Sequence, residues 1–404
     1  MQRLNQISDH LKSTGSEYSL KKEDDVVIVA AYRTALTKSG KGAFRDINSD
    51  VILYKLLVEM FHKVKIDPSL IGDVAVGNVL NPGAGVNEHR AAAIASGIPS
   101  SVPFIALNRQ CSSGLMAIND IANKIKTGQI ECGLAAGVES MSQNYGPQAV
   151  PKISPLVQTA SKEAKDCLLP MGTTSENVNE KYRIGREEQD EFAANSYKKA
   201  EIAISTGLFK DEILPIQVEV EEEVEEEGDE EGGEPRRKTV VVDTDEGPRK
   251  GNGASHAGNS SQISDGAAAV LLMTRRLAAK LHLAVLGKYI ATSVVGVPPN
   301  IMGIGPSVAI PDVLNKANLA VSDVSVFEIN EAFAGQALYS IQASHIDINK
   351  VNPRGGAIAL GHPLGCTGAR QTCTLLRELN AGEYGVVSMC IGGGQGAATI
   401  FLKE

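Results

Sequence analysis

A chain of 404 residues is too long for one small core and suits two or three domains. It has no Trp, only 4% aromatic residues and 40 Gly, which argues against the aromatic platforms on which nucleic-acid bases stack. The net charge of −9 is local, because residues 219–234 hold 11 of the 48 Asp and Glu and the remaining charges nearly balance. Cysteines 111, 132, 167, 366, 373 and 390 show no C-x-x-C and no metal-ligand spacing, so they read as reduced thiols of an intracellular protein. No apolar stretch approaches the 18 residues of a membrane span.

Residues 1–23 are polar and lack the apolar core of a secretory signal. Arg3-Leu4 and His10-Leu11 flank five residues, and Leu4, Ile7 and Leu11 share one helical face. This resembles the type-2 amino-terminal peroxisomal targeting signal, a receptor-read address rather than an anchor. The expected partner is an import receptor and the expected location the peroxisomal matrix.

Beyond this segment the chain repeats itself. Val26-Val27-Ile28-Val29 and Val285–Ile290 open two halves as strands. Asp73-Val74-Ala75-Val76 and Asp323-Val324-Ser325-Val326 begin matching strands 250 residues apart, and Gly85 and Gly335 keep that offset. Gly114 and Gly128 bracket a helical run with Leu115, Ile118, Ala122 and Ile125, while Gly368 and Gly382 bracket another with Ala369, Cys373, Leu376 and Leu379. Gly266–Met273 and Gly396–Lys403 read as closing strands. Strand and helix thus alternate in each half, which predicts an α/β fold with buried strands.

The repeat exposes an insertion. In the second half the strand at 385–389 reaches the closing strand within a few residues, whereas in the first the strand near 132–138 waits until 267. The organisation expected is a segment 1–23, an N-terminal half of 24–141 plus 263–284, an inserted domain 142–262 and a C-terminal half 285–404. The insert carries a helix from Glu187 to Thr206, and its acidic run reads as a solvated loop.

Three blocks carry chemistry. Asn108-Arg109-Gln110-Cys111-Ser112-Ser113-Gly114 places Cys111 between an extended stretch and a helix N-terminus, where the helix dipole is expected to lower a thiol pKa. The repeat counterpart of Cys111 is Gly365, so the shared scaffold does not require the cysteine. Residues 355–365 present His362 in a Gly-His-Pro turn, and Cys390 ends a strand against Gly392-Gly393-Gly394. A thiolate, a base and backbone N–H groups freed by glycine are what thiol-based acyl transfer needs. Cys366 and Cys373 fall on the helix after His362 and read as core.

These blocks, with Asn330-Glu331-Ala332-Phe333, resemble the thiolase family over nearly the whole chain, and most of all its peroxisomal 3-ketoacyl-CoA-cleaving branch. The resemblance implies a five-layered α/β/α/β/α fold of duplicated halves with an inserted loop domain. It implies Cys111 as acyl acceptor, His362 as its base and Cys390 as the acid/base. Asn330 would hold a water that with His362 serves one oxyanion, and the N–H groups of Cys111 and Gly392 would serve the other. Ser261 matches a serine near the pantetheine of CoA. The reaction implied is thiolysis of a 3-ketoacyl-CoA to acetyl-CoA and a shortened acyl-CoA. CoA would be a substrate, with no permanently bound cofactor, no metal and no nucleic-acid partner, and the protein a homodimer. Acetoacetyl-CoA synthesis and a non-catalytic homologue are the alternatives. The second draws on a departure from the family: only Lys250 to His256 separate Asp-Glu-Gly-Pro-Arg (245–249) from Ala-Gly-Asn-Ser-Ser (257–261). The acidic run is likewise no family feature.

Overall fold

The computed structural model describes residues 18–146, 149, 153–221, 237–248 and 258–404. The Arg3/His10 element, residues 222–236 of the acidic run and the shortened segment 250–256 lie outside the described residues.

The first half runs β1 (Val26–Arg33), β2 (Thr37–Lys38), α1 (Ser49–Val64), β3 (Asp73–Gly77), α2 (Val86–Ala95), β4 (Phe104–Leu107), α3 (Ser113–Lys126) and β5 (Cys132–Ser140). The insert then contributes α4 (Met171–Tyr182), α5 (Arg186–Ser205) and a hairpin of β6 (Ile216–Glu221) and β7 (Arg237–Val242) before β8 (Ser264–Thr274) returns to the first half. The second half holds β9 (Gly287–Gly296), α6 (Gly305–Lys316), β10 (Val324–Ile329), α7 (Ala334–Ala343), α8 (Ala357–Leu360), α9 (Thr367–Glu378), β11 (Tyr384–Ile391) and β12 (Gln395–Lys403).

The strands follow the order β10-β11-β12-β9-β1-β8-β5-β3-β4. The halves meet where β1 pairs with β9 through only Val27↔Lys288 and Ile28↔Gly287, so two sheets join at a narrow seam. All positions of β5 and β8 are buried, as continuous runs of small and apolar residues require when both faces of a sheet are covered. Helices α1 and α2 cover the first sheet and α6 the second, while α3 and α9 lie between them. This is the five-layered α/β arrangement.

Helix α9 departs from the one-faced stripe that its sequence predicts, because Thr367 through Leu376 are all buried. It touches β11 and β10 on one side and β8, β1 and β5 on the other, so no face is left for water. It crosses α3 at glycines. A Cβ on Gly114 would lie 2.6 Å from the Gly365 carbonyl oxygen, and one on Gly368 would lie 2.5 Å from the Leu115 nitrogen. Gly114 and Gly368 are repeat counterparts, so each half supplies the same device for close backbone approach.

The insert packs α4 and α5 on α7, and α5 on α8. Its far end is fixed by the fully buried Arg33, which meets Glu212 at 2.6 Å and Asp245 at 2.7 Å. The acidic run does not begin as loop: Glu219 and Glu221 belong to β6 and face Thr239 and Arg237 of β7. Alternation of Ile216 and Val218 with Gln217 and Glu219 is strong enough to make the first part of the run a strand.

Candidate active site

The block around Cys111 folds as a side-chain-tied turn. After β4, Asn108 Oδ1 accepts the Gln110 N–H at 3.0 Å, and Ser113 Oγ accepts the Arg109 N–H at 2.9 Å. Between them Gln110 takes a left-handed φ of 48°, which costs a non-glycine residue roughly 1–2 kcal/mol. The turn delivers Cys111, half-buried, just ahead of α3.

Cys390 lies in β11 opposite Gly396 of β12 and is fully buried in an apolar patch with Met302, Ala332 and Phe333. The strand then turns through Gly392, Gly393 (φ 81°) and Gly394 (φ 92°). That turn brings Gly392 beside Gln110, and the Gly392 and Cys111 N–H groups both pull the Cys111 thiol pKa down. Two backbone N–H groups thus act on one thiol, and the two cysteines stand close enough for Cys111 to raise the Cys390 thiol pKa.

His362 follows Gly361, whose φ is 108° and whose Cβ, if present, would lie on Ser264 Oγ. The His362 N–H is held by the Gln262 carbonyl at 2.9 Å and by Ser264 Oγ at 3.1 Å. Its ring is sandwiched by hydrogen bonds, with Nδ1 2.6 Å from Thr367 Oγ1 and Nε2 3.3 Å from Asn330 Nδ2. The Thr367 hydroxyl gives its own proton to the Pro363 carbonyl at 3.0 Å. This partner set assigns the proton to Nδ1 and leaves the Nε2 lone pair toward Asn330.

Asn330 starts the loop after β10, and its N–H reaches the Ser388 carbonyl on the Cys390 strand at 2.9 Å. Its Oδ1 is buried with no hydrogen-bond partner among the described residues. Ser261, half-buried, donates its N–H to the Ala332 carbonyl at 3.0 Å and so borders the same loop. The structure thus brings Cys111, Cys390 and Gly392 into one cluster, with His362 paired to Asn330 and Ser261 beside the Asn330 loop.

One expectation is corrected. The helix N-terminus does not lower the Cys111 thiol, because burial pushes it up to about 11 and outweighs the Gly392 and Cys111 N–H groups, which pull it down. Burial likewise pushes Cys390 above its ordinary range and His362 down to about 3, with Arg370 adding to the fall. All three groups therefore rest uncharged.

Sequence reasoning missed the groups that seat these residues. Thr367 carried no signal beyond its place five residues after His362. Glu331 stands inside a motif already noted, and its carboxylate is taken up by structural partners. It accepts from Ser196 Oγ at 2.6 Å, Asn352 Nδ2 at 2.7 Å and the Ile358 N–H at 3.2 Å, and so ties the insert to α8 ahead of His362. Gln262 Nε2 reaches the carbonyls of Ile358 and Ala359 at 3.0 and 2.9 Å. Glu139 went unread, although it is the one charged residue of an otherwise small and apolar β5. Among the described residues no group of His, Cys, Asp and Glu is arranged to hold a metal, and no helix is long and apolar enough to cross a membrane.

Known proteins share this architecture. The chain is 54% identical to the 3-ketoacyl-CoA thiolase B, peroxisomal, of Candida tropicalis and to the 3-ketoacyl-CoA thiolase, peroxisomal, of Saccharomyces cerevisiae, with 100% of each chain covered in both cases. The crystal structure of the dimeric peroxisomal thiolase of Saccharomyces cerevisiae superposes with a TM-score of 0.87 at 54% identity, covering 96% of this chain and 100% of that one. The Bacillus anthracis acetyl-CoA acetyltransferase superposes with a TM-score of 0.81 at 34% identity, covering 94% and 99%. The model of the thiolase N-terminal domain matches residues 26–276 and that of the thiolase C-terminal domain residues 283–403, and the chain belongs to the thiolase family.

Proposed function

We propose that the chain cleaves 3-ketoacyl-CoA with CoA in peroxisomal β-oxidation, giving acetyl-CoA and an acyl-CoA shortened by two carbons. It works as a homodimer in the peroxisome; its relatives in Candida tropicalis and Saccharomyces cerevisiae are peroxisomal, and the Saccharomyces cerevisiae structure is of a dimeric thiolase. The observation that carries the chemistry is that the Gly392 and Cys111 N–H groups both act on the Cys111 thiol, pulling its pKa down, and that this thiol in turn acts on the Cys390 thiol.

In the first half-reaction the Cys111 proton moves to His362 Nε2 and the sulfur attacks the 3-keto carbon. The bond between C2 and C3 breaks, and Cys390 gives its proton to the departing acetyl-CoA enolate. The enzyme then holds an acyl-Cys111 thioester, a His362 imidazolium and a Cys390 thiolate. In the second half-reaction Cys390 takes the proton of CoA, and the CoA sulfur attacks the thioester. Cys111 leaves as a thiolate and recovers its proton from His362, so the protons balance. A neutral resting pair suits this cycle, because charge forms only when substrate has displaced water.

Each oxyanion has donors. The Gly392 and Cys111 N–H groups serve the oxygen of the acyl-Cys111 thioester. His362, once protonated, and a water held by the free Oδ1 of Asn330 serve the other. CoA is a substrate in this reading, with no cofactor bound permanently. Ser261 and the inserted domain, residues 142–262, form the wall that meets its pantetheine. Near the two ends of the shortened segment 250–256, Gly247 approaches Ala359, where an added Cβ would lie 2.1 Å from the carbonyl oxygen, and the Asn259 carbonyl accepts the Ala334 N–H at 2.9 Å at the start of α7. The Arg3/His10 element acts as the address read by the import receptor, and a fusion of residues 1–20 to a fluorescent protein tests it by peroxisomal or diffuse signal.

Thiolysis measured across acyl-chain lengths, with mass spectrometry of the acyl-enzyme, tests the whole reading. The expected result is CoA-dependent cleavage with the adduct on Cys111. Absence of cleavage at every chain length would establish the non-catalytic alternative, and turnover of acetoacetyl-CoA alone the synthetic one.

A further inference from the structure

Glu139 is a fully buried carboxylate whose hydrogen-bond partners are neutral donors. One oxygen accepts Asn78 Nδ2 at 3.0 Å and the Leu80 N–H at 3.1 Å. The other accepts the Val79 N–H at 3.0 Å and the Gly365 N–H at 2.9 Å. Three donors come from the loop that follows β3, and the fourth from the turn that carries His362.

That fourth contact sits where the two halves come closest. Gly137, two residues before Glu139, shares its face of β5. A Cβ on Gly137 would lie 2.2 Å from the Gly365 oxygen, and one on Gly114 would lie 2.6 Å from the same oxygen. A Cβ on Gly365 itself would lie 2.7 Å from the Asn78 Cα. Glycines thus clear a seat for the Gly365 peptide, and Glu139 fastens its N–H. Gly365 is three residues after His362, and Gly114 is three residues after Cys111, so this seat joins the segment of the base to the segment of the nucleophile.

We propose that Glu139 is a positioning residue for the reaction: by fastening the Gly365 peptide to β5 it sets the His362 turn against the Cys111 helix. The inference rests on the thiolase reading of the site. Four donors leave both carboxylate oxygens occupied as acceptors, which fits the ionised form, although burial pushes this carboxyl up to about 7. The same charge works against the nucleophile, since it raises the Cys111 thiol. The charged group bearing on that thiol is Glu139 from β5, and the thiol in turn raises Cys390 of β11; Glu139 also acts on Cys366, while Arg370 from α9 acts on Cys366 and His362. A charge that hinders thiolate formation is kept because it places the base.

These two effects of Glu139 have opposite signs, and that makes the test specific. Glu139→Gln keeps the shape but turns one acceptor into a donor and removes the charge. The variant should lose about 10²-fold in kcat, the scale of a small misplacement of reacting groups. Its KM values should stay within roughly threefold. Meanwhile alkylation of Cys111 by iodoacetamide should reach its plateau at lower pH than in the wild type. A variant that is slower while its thiol ionises more easily supports positioning. A folded variant with kcat within roughly threefold of wild type overturns it, as does a slower variant whose alkylation profile is unmoved or shifted upward. Should Glu139→Gln fail to fold, Glu139→Asp decides: it keeps the charge and shortens the reach, so kcat should fall about tenfold with the alkylation profile unmoved, and a wild-type kcat overturns the proposal. Wild-type turnover and acyl-Cys111 formation, measured alongside, test the thiolase reading separately.

Discussion

The two halves of the molecule share a scaffold and divide the chemistry unequally. In the first, the residue that precedes the central helix by this repeat is Cys111; in the second it is Gly365. In the second, β11 carries Cys390 near its end; at the matching offset β5 carries Ala136. Each half contributes one thiol, from opposite kinds of element, and the crossing of α3 and α9 brings the halves together. Duplication supplies two helix starts and two strand ends, and function needs only one of each. The unused positions became contact surface: Gly365 packs against Asn78, and its carbonyl fills the seat left by Gly114 and Gly137.

The largest expected effect removes that inequality at its source. Cys111→Ser keeps the turn tied by Asn108 and Ser113 but replaces a sulfur nucleophile with a hydroxyl. Thiolysis should fall to background, and the acyl adduct should vanish from the mass spectrum. An adduct persisting elsewhere in this variant would hand the nucleophile's role to the second half. Cys390→Ala makes the second strand end resemble the first. It should slow turnover by roughly 10²–10⁴, the usual worth of a positioned acid–base group. A single-turnover experiment should still find acyl-Cys111, and a near-wild-type rate would mean that the proton follows another route.

The same asymmetry marks what the sequence made legible. The repeat, the insertion and the first glycine stop showed in the primary structure because backbone geometry selects residue type: Gly128 follows the end of α3 at φ 73°, whereas α9 already ends at Glu378 with Leu379 extended, so Gly382 (φ 87°) belongs to the turn before β11 and is not the helix stop expected of it. The cysteines and His362 showed because reactive residues stood among small ones. The supports did not show. Thr367 is an ordinary helix residue until its hydroxyl is seen 2.6 Å from His362 Nδ1. The direction of the Cys111 shift differs from the expected one because the dipole argument is local, whereas burial is set by the tertiary packing around the turn. Gln110 shows the same limit, since its left-handed φ is imposed by its neighbours' side chains rather than by its own type.

A smaller effect sharpens the comparison at the start of α9. Thr367→Val keeps the volume and removes the partner of His362 Nδ1, leaving the ring free to change tautomer. A hydrogen bond of this kind contributes about 0.5–1.5 kcal/mol, so kcat should fall roughly 3- to 10-fold with KM little changed. Thr367→Ser should restore most of the rate. If valine costs nothing, the Asn330 contact alone orients the ring.

The smallest effect belongs to the part that the duplication does not contain. Ile216, Val218 and Val242 of the β6–β7 hairpin are buried, while Gln217, Glu219 and Val241 face outward. The stem is therefore held by its own apolar face and by six register pairs, from Ile216↔Val242 to Glu221↔Arg237. The acidic residues beyond Glu221 add charge at a distance from both cysteines along the chain, and such charge is screened by salt over about 8–10 Å. Replacing residues 222–236 with a short Gly/Ser turn should leave kcat for thiolysis within roughly twofold and raise the isoelectric point, because it removes carboxylates without touching the stem. A loss of kcat at unchanged stem stability, read from the melting temperature, would tie the run to the catalytic cycle. A rise in KM for CoA that disappears at high salt would instead mark it as an electrostatic contributor to substrate capture, which a solvated loop should not be.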